Sequence, residues 1–153
     1  MKWLSGIVPD LRPGERRIAF LMGANYFLLL CFHYLLKPAR DSLFLVEISP
    51  AQLPLAYILT ALVAAPVTAA YARAGLRRRL DRLIALTILI LIVTLVGLRL
   101  LIGLRQEWVF YLFYSWVGVA GGLATSQFWL LANGVFDAAQ AKRVFPILGL
   151  GGI

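Results

Sequence analysis

Apolar and polar positions alternate along this chain in long blocks. Four predominantly hydrophobic runs, Ile18 to Leu36, Leu53 to Ala72, Leu83 to Leu104 and Val109 to Leu131, each supply about 20 residues. At 1.5 Å per residue, a helix of that length crosses a hydrocarbon core of about 30 Å. A fifth apolar run begins at Val144 and reaches Ile153. It is too short to cross a bilayer and is not closed by polar residues, so it reads as the opening of a fifth helix in a longer protein. Residues 1–17 form a basic N-terminal segment. The first run is long and is followed by charge rather than by small residues, so it reads as a retained helix rather than a cleaved signal.

Within the first run, Tyr26, His33, Lys37 and Arg40 follow one another at steps of 7, 4 and 3 residues. At about 100° per residue these four side chains fall within about 60° of arc, on one stripe of a helix. A charge at the centre of a bilayer costs about 2.5 to 3.5 kcal/mol and is normally turned toward a cavity or a pore. The stripe is therefore the first candidate for function. Two geometries are open. If the helix stops at Leu36, Pro38 marks its boundary and Lys37, Arg40 and Asp41 are interfacial groups in water. If it continues through Pro38 toward Glu47, the charged turn belongs to the membrane domain and faces a water-filled cavity. His33 taken alone reads as a hydrogen-bonded interior histidine.

The other helices carry weaker signals. The third run is Leu- and Ile-rich all round until Arg99, as expected of a helix turned toward lipid with a snorkelling arginine at its end. Ala61, Ala65 and Ala69 in the second run, and Gly118, Gly122 and Ser126 in the fourth, form small-residue faces that let helix backbones approach. Pro66 removes a backbone bond from the second helix. Gln127 is a polar group at membrane depth that either bonds a neighbouring helix or lines a cavity. Asn133-Gly134 signals a turn, Asp137 and Gln140 form a capping-box pattern for a short helix carrying Lys142 and Arg143, and Pro146 is placed to start the fifth helix.

Composition agrees with a membrane setting. Of the 153 residues 61% are hydrophobic, more than a soluble domain of this size covers. The net charge of +8 lies mostly in short basic runs flanking the apolar segments, without the aromatic-interleaved basic face of a nucleic-acid binder, so nucleic acid is not expected as a partner. Lys2, Arg12, Arg16 and Arg17, then Arg73, Arg77, Arg78, Arg79 and Arg82, then Lys142 and Arg143 mark three cytoplasmic regions, and put the N-terminus inside a multi-pass protein of the cell's inner membrane. Trp108, Tyr111, Tyr114 and Trp116 at one end of the fourth helix, and Phe128 and Trp129 at the other, read as interfacial belts. Cys31 has no second cysteine to pair with. No metal or cofactor is expected, and with one histidine, no intramembrane acid pair and no phosphate loop the chain does not read as an enzyme.

The segments "NYFLLLCFHYLLKPARDSLFL" and "SQFWLLANGVFDAAQAKRVFPILGLGG" resemble the start and the fourth-to-fifth-helix region of the bacterial and plastid-type ATP/ADP translocases and their uncharacterised bacterial relatives. The basic loop "ARAGLRRRLDR" is similar to the one that major facilitators carry between helices two and three. The resemblance implies an all-α, major-facilitator-like carrier of twelve helices, of which this chain supplies four and the start of a fifth. The remaining helices would complete it, and the chain alone would not transport. It also implies an anionic solute such as ATP or ADP, with Arg40-Asp41 at the place of a basic-acidic pair used for nucleotide and Lys142-Arg143 at that of a basic pair after helix four. The nucleotide exchangers carry an acid in helix four, and "YLFYSWVGVAGGLATSQFWLL" has none. With Tyr26, His33, Lys37 and Gln127 these four residues complete the candidate binding set. The competing expectation is a multi-pass membrane anchor or assembly subunit that transports nothing.

Overall fold

A computed structural model describes residues 13–75 and 79–150, and every element among them is helical. Five α-helices follow in order: α1 (Pro13–Glu47), α2 (Leu53–Gly75), α3 (Leu80–Leu101), α4 (Glu107–Val135) and α5 (Ala138–Leu150). The segments Arg16–Glu47, Pro50–Gly75, Leu80–Leu104 and Glu107–Val135 are long and apolar enough to cross a membrane. The architecture is that of an all-α, multi-pass membrane protein. Large apolar side chains remain exposed along the helices, among them Phe20, Leu35, Leu62, Ile92, Val93 and Leu100, as they do where the surrounding solvent is lipid.

The first helix does not stop at Leu36. It continues through Pro38 to Glu47, so Lys37, Arg40 and Asp41 are helical. Proline deletes one backbone donor and crowds the preceding turn, a disruption that membrane helices tolerate when neighbours hold the flanking segments. Here Phe44 and Ile48, beyond the proline, are buried against Ala56, Phe110 and Tyr114. The end of α1 is closed by Ile48 N–H donating to the Phe44 carbonyl at 2.8 Å, and a 3-10 turn over Pro50–Gln52 then leads into α2.

The chain forms two compact units. One takes the chain up to Tyr34 together with Thr125 onward; the other takes Leu35–Ala124. In the first, Ala19 and Met22 of α1 pack with Phe128, Ala132 and Phe136 and with Val144 and Leu148 of α5. In the second, Phe44, Ile48, Ala56, Phe110 and Tyr114 form one apolar cluster, and Leu98, Phe113 and Val117 form another with Leu36, Leu43, Leu95 and Trp116 around them. Trp116 Nε1 donates to Thr94 Oγ1 at 2.9 Å, tying α4 to α3.

Two local expectations are corrected. Asn133-Gly134 is not a turn: α4 extends to Val135, and Phe136 N–H still donates to the Ala132 carbonyl at 3.1 Å. Pro146 does not start the last helix but lies inside α5, which begins at Ala138. The start is set instead by the capping box: Asp137 Oδ1 accepts from Gln140 N–H at 2.8 Å, and Gln140 Oε1 accepts from Asp137 N–H at 3.1 Å. Ala61, Ala65 and Ala69 are exposed, so no described helix covers the small-residue face of α2.

Candidate functional site

The second unit contains a buried charge. Arg40 retains 7% of its accessible surface, and three helices build its surroundings. From α1 itself, the next residue supplies the counter-charge. Asp41 Oδ1 accepts from Arg40 Nε at 2.9 Å and lies 2.8 Å from Nη2, with the aspartate side chain 36% exposed. Neighbours in a helix point about 100° apart, so the guanidinium folds back across the helix surface to meet the carboxylate sideways.

From α4, Tyr114 presents the face of its ring, with the Arg40 guanidinium carbon 3.9 Å from the ring centroid. At that distance the cation gains from the ring quadrupole, worth about 2 kcal/mol when both partners are desolvated. Tyr114 is held on other sides by Phe44, with ring centroids 4.9 Å apart, and by Tyr57 of α2, edge-on at 5.7 Å. Phe44 is one helical turn beyond Arg40, so the same face of α1 supplies the cation and the apolar wedge beside its ring. Tyr111, one turn before Tyr114, meets Phe44 edge-on at 5.1 Å and donates its hydroxyl to Gln52 Oε1.

The third wall is the close approach of α2 to α4. A Cβ on Gly118 would stand 2.8 Å from Thr60 Cγ2 and 3.7 Å from Arg40 Nη1. Only glycine therefore admits both neighbours at this point. Thr60 Oγ1 donates to the Ala56 carbonyl at 2.7 Å and shares a 3.3 Å hydrogen bond with Ser115 Oγ. Ser115 is buried, and the pairing satisfies two hydroxyls that would otherwise be costly in a dry interior. Arg40 thus has one edge committed to Asp41, one face to Tyr114, and its Nη1 side toward the bare backbone of Gly118. An oxyanion entering beside the half-exposed Asp41 would compete with it for the Nε–Nη2 edge.

The remaining candidates have different settings. Lys37, one turn before Arg40, is exposed. In the first unit, Tyr26 stacks on Phe128 with centroids 4.4 Å apart and meets Trp129 edge-on at 5.7 Å, so it is a packing residue of an aromatic cluster. His33 is half-buried with its ring edge-on to Tyr34 at 6.2 Å. Gln127 is 5% exposed, and its Nε2 has no hydrogen-bond partner among the described residues. Lys142 on α5 is exposed and Arg143 is half-buried. Among the described residues no group of three or more His, Cys, Asp or Glu could hold a metal ion.

Tyr114 and Phe128 depart from the expected interfacial belts. Both are buried, the first under a guanidinium and the second under Tyr26. Tyr114, the partner of Arg40 that was missed, leaves one trace in the sequence: it precedes Gly118 by one turn, so ring and gap share a face. No family model, curated protein or solved structure matches the chain.

Proposed function

We propose that this chain belongs to a secondary transporter that moves an anionic solute by alternating access, with Arg40 as the cation that the solute engages. One observation carries the reading. A guanidinium is buried in a helix built to cross a membrane, and its counter-ion is a half-exposed carboxylate that a ligand can displace. A buried ion pair contributes little net stability compared with apolar packing of the same volume. Its presence in a lipid-facing fold therefore asks for a function. With no solute bound, Asp41 neutralises Arg40. An arriving phosphate or carboxylate displaces Asp41 from the Nε–Nη2 edge, and the released carboxylate gives the protein two electrostatically distinct states. ATP and ADP are the solutes to try first, on the strength of the motif resemblance, with inorganic phosphate and dicarboxylates as the smaller anions of the same chemistry.

The test is solute uptake into proteoliposomes carrying the full-length gene product. Labelled ATP, ADP, phosphate and a dicarboxylate are offered to the wild type and to Arg40→Ala. Saturable uptake of one of them that is lost in the variant, while insertion and helix content are preserved, supports the reading. Absence of uptake for all four, with unchanged behaviour of the variant, removes it. The second reading, an anchor or assembly subunit, is favoured by the exposed stripe Ala61, Ala65 and Ala69 on α2, a surface suited to another helix. It predicts that Arg40→Ala alters stability alone.

A further inference from the structure

A groove of about 350 Å³ runs between α2, α3 and α4 in the second unit, lined by Val67, Ala70, Leu86, Ile90, Val119 and Leu123 among others. Its wall is almost wholly apolar. Of the lining side chains, Val63, Leu86, Ile90 and Leu112 remain exposed, so the groove opens on the outer surface of the helices. The groove shares Ser115 with the wall of the anion site described above, but Arg40 and Asp41 do not line it.

Length and charge identify an occupant. Along α3 the lining extends from Leu83 to Thr94, about 16 Å of helix at 1.5 Å per residue. That is about half of a 30 Å hydrocarbon core, the depth of a single leaflet. The inner end is marked by the Trp116–Thr94 hydrogen bond. At the other end Ala74 and Leu83 line the groove, and their chain neighbours are Arg73 and Arg82, both exposed. Arg79 stands at the N-cap of α3 without a side-chain cap, so the first-turn N–H groups point toward the same end. Asp81 offsets part of this charge through its contact with Arg79 at 3.4 Å. The balance is still cationic, at the level where lipid phosphates lie. In the orientation expected from the loop charges, that level is the cytoplasmic leaflet, where anionic lipids concentrate.

We propose that the groove holds one acyl chain of an anionic phospholipid whose phosphate is bound by Arg73, Arg79 and Arg82. The apolar wall supplies contact area to the chain. The arginines discriminate the headgroup, each contributing about a fivefold preference for the anionic over the zwitterionic lipid. Such a lipid would bridge α2 and α3 at the end where a Cβ on Gly75 would stand 3.6 Å from Leu83 Cδ2.

Native mass spectrometry of the detergent-purified chain, supplied with equal amounts of phosphatidylglycerol and phosphatidylcholine, tests this directly. The expected result is a single retained phosphatidylglycerol. Ala70→Trp and, from the facing helix, Leu86→Trp fill the groove and abolish retention. Val93→Trp, on an exposed part of α3 outside the groove, leaves it intact. Replacing Arg73, Arg79 and Arg82 together by Gln removes the preference for phosphatidylglycerol without changing helix content. Equal retention of the two lipids by the wild type overturns the proposal, as does persistence of the lipid in both Trp variants. A photoreactive residue at Ile90 should attach to lipid; attachment to a second protein chain instead would show that a helix covers the groove and would equally overturn it.

Discussion

The guanidinium of Arg40 lies over the ring of Tyr114, its carbon 3.9 Å from the ring centroid, while its Nε and Nη2 share one oxygen of Asp41. The ring removes water from one face of the cation and leaves the edge for hydrogen bonding. Tyr114→Phe keeps the π face and removes a buried hydroxyl beside Tyr57. Its thermal midpoint in detergent should fall by no more than the equivalent of about 1 kcal/mol. Tyr114→Leu keeps apolar volume but loses the quadrupole, and should destabilise by about 0.5 to 2 kcal/mol. Equal midpoints for the two variants would show that the stacking contributes nothing.

Asp41→Asn leaves a buried guanidinium without a carboxylate. Because the aspartate is partly exposed, the loss should lie below the range for a fully buried pair, at about 1 to 3 kcal/mol. Inorganic phosphate should then raise the melting midpoint of Asp41→Asn more than that of the wild type, since the competing carboxylate is gone. Thermal shift against phosphate concentration measures this, with Arg40→Ala/Asp41→Asn as the variant expected to show no response.

Arg40→Lys retains the charge but not the planar fork that reaches Asp41 from two nitrogens. If solute is held by the same group, transport in proteoliposomes should fall by an order of magnitude or more while the protein still inserts. A lysine variant with wild-type uptake would reduce the role of Arg40 to a point charge.

At Gly118 the side chain of Thr60 from α2 leaves no room for a Cβ on α4. Gly118→Ala places a Cβ 2.8 Å from Thr60 Cγ2 and should cost about 1 to 3 kcal/mol by overpacking. Thr60→Ser removes that methyl and keeps the hydroxyl paired with Ser115. The double variant should therefore recover much of the loss, giving a coupling energy of about 0.5 kcal/mol or more in a cycle of melting measurements. Strict additivity would place the strain elsewhere.

The capping box at the start of α5 can be tested independently of the membrane site. Asp137→Ala removes the acceptor for Gln140 N–H and should cost about 0.5 to 2 kcal/mol, seen as faster amide exchange in the first turn of α5.

The sequence alone determined the four long apolar helices, because runs of about 20 predominantly apolar residues have few alternatives to spanning a bilayer, where every backbone N–H and C=O must be paired within its own segment. It also determined the capping box at Asp137 and Gln140, a local contact over three residues that needs no tertiary partner. The path of α1 beyond Pro38 was not legible, because the residues that hold it, Ala56, Phe110 and Tyr114, come from other helices. Tertiary structure likewise separated the members of one helical stripe. Arg40 is buried under an aromatic ring and Lys37, one turn away, is exposed. A stripe specifies only the angle around one helix axis, and burial depends on which neighbour stands at that angle and how closely it can approach. For Arg40 that was decided by the ring of Tyr114 and by the missing side chain of Gly118.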